Sequence, residues 1–201
     1  IGRTGYSDLG FGVNSDSKFN SIQELIELSK ANPKSLQVAT NIGLPVHLIP
    51  LMFAESAGTD FKFIQIGGGS KRLSSILGGH TDMAMFSLLA FIQYKDAGIK
   101  PLVVLSEQRT SLFPDVPTAK EIGVDLVMQD TRIWLAPKGT PPERIELIAT
   151  ALRTAMELPE VKKEFKTLGI HTTFGDAAEL QPFLDNMLER VTPLVAKARG
   201  R

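Results

Sequence analysis

The sequence predicts an α/β fold with mainly parallel sheets. Short strand-like runs alternate with amphipathic helical stretches along nearly the whole chain. One run, "KPLVVLS" at 100–106, has the apolar continuity of a strand buried on both faces. A hydrophobic fraction of 43% against 22% charged, over 201 residues, supplies enough apolar material for a sizeable core.

The elements follow in order. "LGFGV" at 9–13 reads as an opening strand. Ser21 with Glu24 forms a capping-box pattern ahead of Ile22, Leu25, Ile26 and Leu28, and Asn32-Pro33 stops that helix. "SLQVAT" (35–40) is a strand. "PVHLIPLMFAESAG" (45–58) is a helix in which Pro50 is tolerable because the helix starts near Pro45. "FKFIQI" (61–66) alternates as a strand does, and "GGGS" leads from it into a short helix ended by Gly78-Gly79. "TDMAMF" (81–86) is a strand and "SLLAFIQYKDAG" (87–98) a helix. After the buried-type strand comes the Pro-punctuated "FPDVPTAKEIGVDL" (113–126), with a short helix from near Thr118. "TRIWLAPKGTPP" is a strand running into a turn, with Trp134 expected in the core. Two helices, the strand "IHTTF" and a long last helix complete the chain.

Composition excludes several function classes. Lys plus Arg equals Asp plus Glu, at 22 each, so no basic excess marks a nucleic-acid partner. There are no cysteines, hence no disulfides, thiolate zinc sites or thiol nucleophiles. No apolar run approaches a membrane span, and the opening residues lack the pattern of a secretory leader.

Three strand–loop–helix junctions carry the candidate chemistry. At the first, Thr40, Asn41 and Gly43 occupy the loop and His47 the first helical turn. At the second, Gly67, Gly68, Gly69 and Ser70 precede Lys71 and Arg72, whose charges are expected on a solvated helix face. The residue order fits neither a Walker loop nor the G-x-G-x-x-G fingerprint. A strand, small residues and a helix start still present free N–H groups and a positive dipole end to an anion; a tight turn needing positive φ is the competing reading. At the third, Asp82 precedes the strand, and Phe86 and Ser87 stand where it passes into the next helix. Together the loops suit a small carboxylate at the carboxyl ends of the strands. No G-x-S-x-G elbow is present, and His47, His80 and His171 lack metal-ligand spacing, so neither catalysis, cofactor nor metal is expected.

The order of "GLPVHL", "GGGS…ILGGHTDMA", "VLSEQR…FPDVPTAKEIGVDL" and "WLAPKGTPPERIELIATAL" resembles the TctC or Bug family, the tripartite tricarboxylate transporter receptors. The resemblance runs from about Phe11 to the C-terminus. It implies a periplasmic-binding-protein-like fold of the type II, Venus-flytrap kind, with residues 14–130 as a complete second domain. Residues 1–13 and 131–201 would be the remainder of a first domain that is incomplete, with hinge crossovers near Phe11–Asn14 and Gln129–Trp134. It further implies a non-enzymatic, periplasmic solute receptor that captures a small organic acid and delivers it to membrane permease subunits, without itself spanning the membrane. Ligand contacts would come from Thr40, Asn41, Gly43, His47, Gly68, Gly69, Ser70, Asp82, Phe86 and Ser87. Two places depart from the family pattern: Asn41–Val46 replaces a Gly-x-Gly-Ser loop, and Gln65-Ile66-Gly67-Gly68 replaces Pro-Tyr-Lys-Gly. An effector-binding regulatory domain of the LysR kind shares this fold and is the alternative; an acyl-substrate enzyme stands behind it.

Overall fold

A computed structural model describes residues 1–199; positions 200 and 201, the end of the 131–201 stretch, lie outside the described residues. The chain divides into two compact units. One comprises Ile1–Ser7 with Gln129–Val191, the other Asp8–Met128 with the chain from Thr192 onward.

The larger unit holds the parallel sheet. Strand β2 (Gln37–Thr40) lies between β3 (Lys62–Gln65) and β4 (Met83–Ser87), parallel to both. Each is followed by a helix: α2 (Pro45–Ser56), α3 (Gly69–Leu77) and α4 (Leu88–Gln93). Because the three strands point the same way, all three helices start at one edge of the sheet. The helix α1 (Ile22–Ala31) contributes Ile22, Leu25 and Ile26 to the core, which also holds Phe11, Phe53, Phe61 and Phe91. Phe11 meets Phe53 edge-on with ring centroids 5.0 Å apart.

The opening strand, β1, runs from Gly2 to Asn14 and is longer than the apolar alternation of 9–13 indicates. Its second half pairs antiparallel with β4 and with β5 (Ile99–Val104), so the sheet is mixed and the apolar "KPLVVLS" run is not a parallel strand. Burial on both faces, which that run does report, does not require a parallel neighbour. Gly10 and Gly12 are there for closeness. A Cβ on Gly12 would stand 2.3 Å from the Phe91 ring and 2.4 Å from the Lys100 carbonyl oxygen.

In the smaller unit the first half of β1 pairs antiparallel with β7 (His171–Asp176), and Tyr6 stacks on His171 with ring centroids 4.7 Å apart. β6 (Gln129–Trp134) also pairs with β1. Trp134, expected in the core, is 46% exposed, and its Nε1–H donates to Thr4 Oγ1 at 2.9 Å. Its polar end has found a hydroxyl at the sheet surface, which holds it there. The helices α5 (Pro142–Glu157) and α6 (Pro159–Thr167) pack against β7, and α7 (Ala177–Arg199) follows it.

Candidate functional site

The candidate site lies at the carboxyl edge of the β3–β2–β4 strands. Thr40 ends β2, Gln65 ends β3 opposite it, and Ser87 ends β4. The β3–α3 loop is tied to the end of β2 because Ile66 and Gly67 donate their N–H groups to the Thr40 carbonyl, at 2.9 and 3.3 Å.

The side chain of Thr40 is fully buried and its Oγ1 donates to the Val46 carbonyl at 2.6 Å. Val46 needs this donor. In a regular helix its carbonyl would accept from residue 50, and Pro50 has no N–H. Thr40, expected among the ligand contacts, is placed beneath the first turns of α2, where its hydroxyl supports them. His47 is likewise buried. Its Nδ1 accepts from the Gly43 N–H at 3.2 Å, which leaves the ring proton of the neutral form on Nε2, and its ring meets Phe63 edge-on at 4.8 Å. Gly43 has φ +83° with open space beside it, so the turn uses glycine for its backbone and not for close packing.

Asn41 and Gln65 join the first two loops. Gln65 Nε2–H donates to Asn41 Oδ1, while Gln65 Oε1 accepts from the Ile42 N–H at 2.6 Å. The Asn41 amide nitrogen keeps its own donors, with no protein acceptor among the described residues. Sequence reading missed Gln65. Only its place at the head of the stretch that departs from the family's Pro-Tyr-Lys-Gly loop, where it stands for the proline, marked the position as unusual.

At the second loop, Gly68 caps α3 without a side chain, and Gly69 and Ser70 form the exposed first turn. Their N–H groups are among those a helix start leaves without intrahelical partners. Arg72, expected in solvent, is only 9% exposed. Its Nη1 donates to the Gly67 carbonyl at 3.0 Å, and the guanidinium lies 5.6 Å from the centroid of the Phe86 ring. Burial pushes its pKa down from the ordinary arginine value. The cause of the miss is local: the Gly67 carbonyl and the Phe86 face lie close enough for the side chain to fold back beneath the loop. Phe86 itself is 5% exposed, packed edge-on to Phe91, and so meets the site through Arg72.

At the third junction, Ser87 Oγ accepts from the Ala90 N–H at 3.3 Å, capping α4 and leaving its own proton to donate. Asp82 does not join this group. It precedes β4 at the opposite edge of the sheet, five residues and about 16 Å from Ser87, and its Oδ2 accepts from the Gln37 N–H at 2.7 Å. It latches β4 to β2. The structure thus sets Asn41, Gly43, Gly68, Gly69, Ser70 and Ser87 along one edge of the parallel sheet, and buries Thr40, His47, Arg72 and Phe86. Among the described residues, no group of three or more His, Asp or Glu could hold a metal ion, and no helix is long and apolar enough to cross a membrane.

Such an edge, with free N–H groups and amide and hydroxyl donors around it, can hold a small anion. A model of the tripartite tricarboxylate transporter family receptor matches residues 4–200. The chain belongs to that family. Among curated relatives of this chain is the UPF0065 protein in the gbd 5′ region of Cupriavidus necator, 28% identical over 98% of the chain and 60% of the relative. The chain therefore spans about three-fifths of that protein's length. The structure of periplasmic binding protein BugD superposes with TM-score 0.80 at 25% identity, covering 98% of this chain and 68% of BugD. R. palustris Rpa4515 with adipate superposes equally well, at 22% identity over 100% of this chain and 67% of that one, a likeness of fold.

In this chain the stretch that carries much of the sequence resemblance is a structural clamp. Thr118 donates its N–H to Glu121 Oε2 at 2.7 Å, and Glu121 returns its N–H to Thr118 Oγ1 at 3.1 Å. Arg109 Nε lies 2.9 and 3.0 Å from the two Glu121 oxygens, while its Nη1 donates to the Pro114 carbonyl. The Glu121 carboxyl is held below its ordinary value, first by the Thr118 N–H and then by Arg109.

Proposed function

We propose that this chain is the ligand-holding part of an extracytoplasmic solute receptor that captures a small organic carboxylate. One observation carries this reading: the exposed N-terminal turn of α3 at Gly69 and Ser70 opens at the same edge of the parallel sheet as the Asn41 amide nitrogen and the Ser87 hydroxyl. A carboxylate accepts up to four hydrogen bonds and is favoured by the positive end of a helix. The structural neighbour Rpa4515 was solved with adipate, a dicarboxylate. The Asp8–Met128 part of the chain acts as the second domain of the receptor, and delivery is to the membrane permease subunits of a tripartite tricarboxylate-type transporter. Capture and release, without chemistry on the solute, is the activity.

The test is calorimetric titration of the folded full-length gene product with succinate, glutarate, adipate and aromatic monoacids. Saturable binding of at least one acid is expected, and Gly69→Pro should weaken it. Proline suits the first helical position yet removes that N–H, so the helix survives while a donor is lost. Absence of binding to every acid would overturn the proposal.

A further inference from the structure

Arg72 carries a charge that the protein leaves incompletely matched. Its side chain is more than nine-tenths buried, and its Nε is shielded from solvent with no hydrogen-bond partner. No carboxylate forms an ion pair with it among the described residues. Nη1 is committed to the Gly67 carbonyl, and the ring of Phe86 attracts the cation through its face. Among the described residues Nη2 has no acceptor, and it lies 3.9 Å from where a Cβ on Gly69 would stand, which places it beside the first turn of α3. Two weak partners do not offset the cost of desolvating a full charge. An anion at the helix start would.

We propose that Arg72 is a charged ligand anchor, whose Nη2 binds the solute's carboxylate together with the N–H groups of Gly69 and Ser70, so that the receptor demands an ionised group there. This rests on the carboxylate-receptor reading. A site made of backbone N–H groups alone accepts a neutral carbonyl nearly as readily in shape. A guanidinium beside them makes charge a condition of binding. The loop glycines fit this role: a Cβ at Gly68 would meet nothing within 4 Å, which leaves the approach to the loop open.

The test uses the full-length gene product and the tightest-binding of succinate, glutarate and adipate, beside its neutral diamide. The wild type should bind the acid, reject the diamide, and lose affinity as salt rises. Arg72→Met keeps the apolar contact with Phe86 and should weaken the acid by about tenfold or more, as loss of one member of a desolvated charge pair does. Its remaining affinity should be nearly indifferent to salt. Arg72→Gln, which retains a donor for the Gly67 carbonyl, carries the same comparison if the methionine variant does not fold. Acid affinity within about twofold of wild type, with salt dependence unchanged, would overturn the proposal while leaving the receptor reading intact. A wild type that binds none of the acids brings both down together.

Discussion

Thr40 and Pro50 are two halves of one arrangement: the hydroxyl of Thr40 donates at 2.6 Å to the Val46 carbonyl that Pro50 cannot serve. Thr40→Val should therefore cost about 1–3 kcal/mol, the penalty of a buried acceptor left without a donor. In a Pro50→Ala background the alanine N–H can reach Val46, and the cost of Thr40→Val should shrink. A double-mutant cycle by chemical denaturation reads the coupling directly. Equal penalties in the two backgrounds would contradict it.

Gln65 ties the first two candidate loops together through Asn41 and the Ile42 N–H. Gln65→Leu removes both bonds at an exposed position, so global stability should move little. The Ile42 amide should exchange faster with solvent, read by hydrogen exchange at that residue. Unaltered exchange would show that the clamp does not order the loop.

Gly12 allows α4 to approach β1. Gly12→Ala should destabilise the protein by about 1–3 kcal/mol, as overpacking in a dense core does. Phe91→Leu should relieve only part of the cost, since the Lys100 carbonyl oxygen at 2.4 Å is backbone and remains. Thermal unfolding of the two single variants and the double variant measures this.

The Glu121 clamp gives a pH dependence of known sign. Its carboxyl is held below the ordinary 4.5, first by the Thr118 N–H, so the ionised form belongs to the folded state. Its contribution is complete above 4.5 and is lost as pH falls through the lower folded value, because the unfolded chain takes up the proton first. The melting temperatures of wild type and Glu121→Gln should differ at neutral pH and converge under acid conditions. A gap that persists at low pH would count against the clamp.

Much of the larger unit was legible because its signals are local. The helix after Ser21, the start of α2 at Pro45 and the glycine start of α3 each declare themselves within a few residues. The full length of β1 was not legible. Thr4, Ser7 and Asp8 are buried although polar, so its first half shows no apolar alternation. The candidate loops were legible as loops, but the duties within them were not. Thr40, Arg72 and Asp82 each commit one polar atom to a group brought near only by sheet adjacency or by the fold-back of a loop. A lone sequence shows a donor; it does not show which acceptor arrives first.

The shared strand β1 also sets an order of assembly. Residues 8–128 form one unbroken stretch that contains the parallel sheet with its helices, and it can condense while later residues are still being synthesised. Thr4 must wait for Trp134, 130 positions on, and Tyr6 for His171. Such distant pairings form slowly. Until they do, the first half of β1 offers an unpaired edge to any extended chain nearby, and an early-folded sheet ending in a bare strand is a template for misassembly. The vulnerable interval in this protein's life is thus the one between the condensing of residues 8–128 and the arrival of β6 and β7.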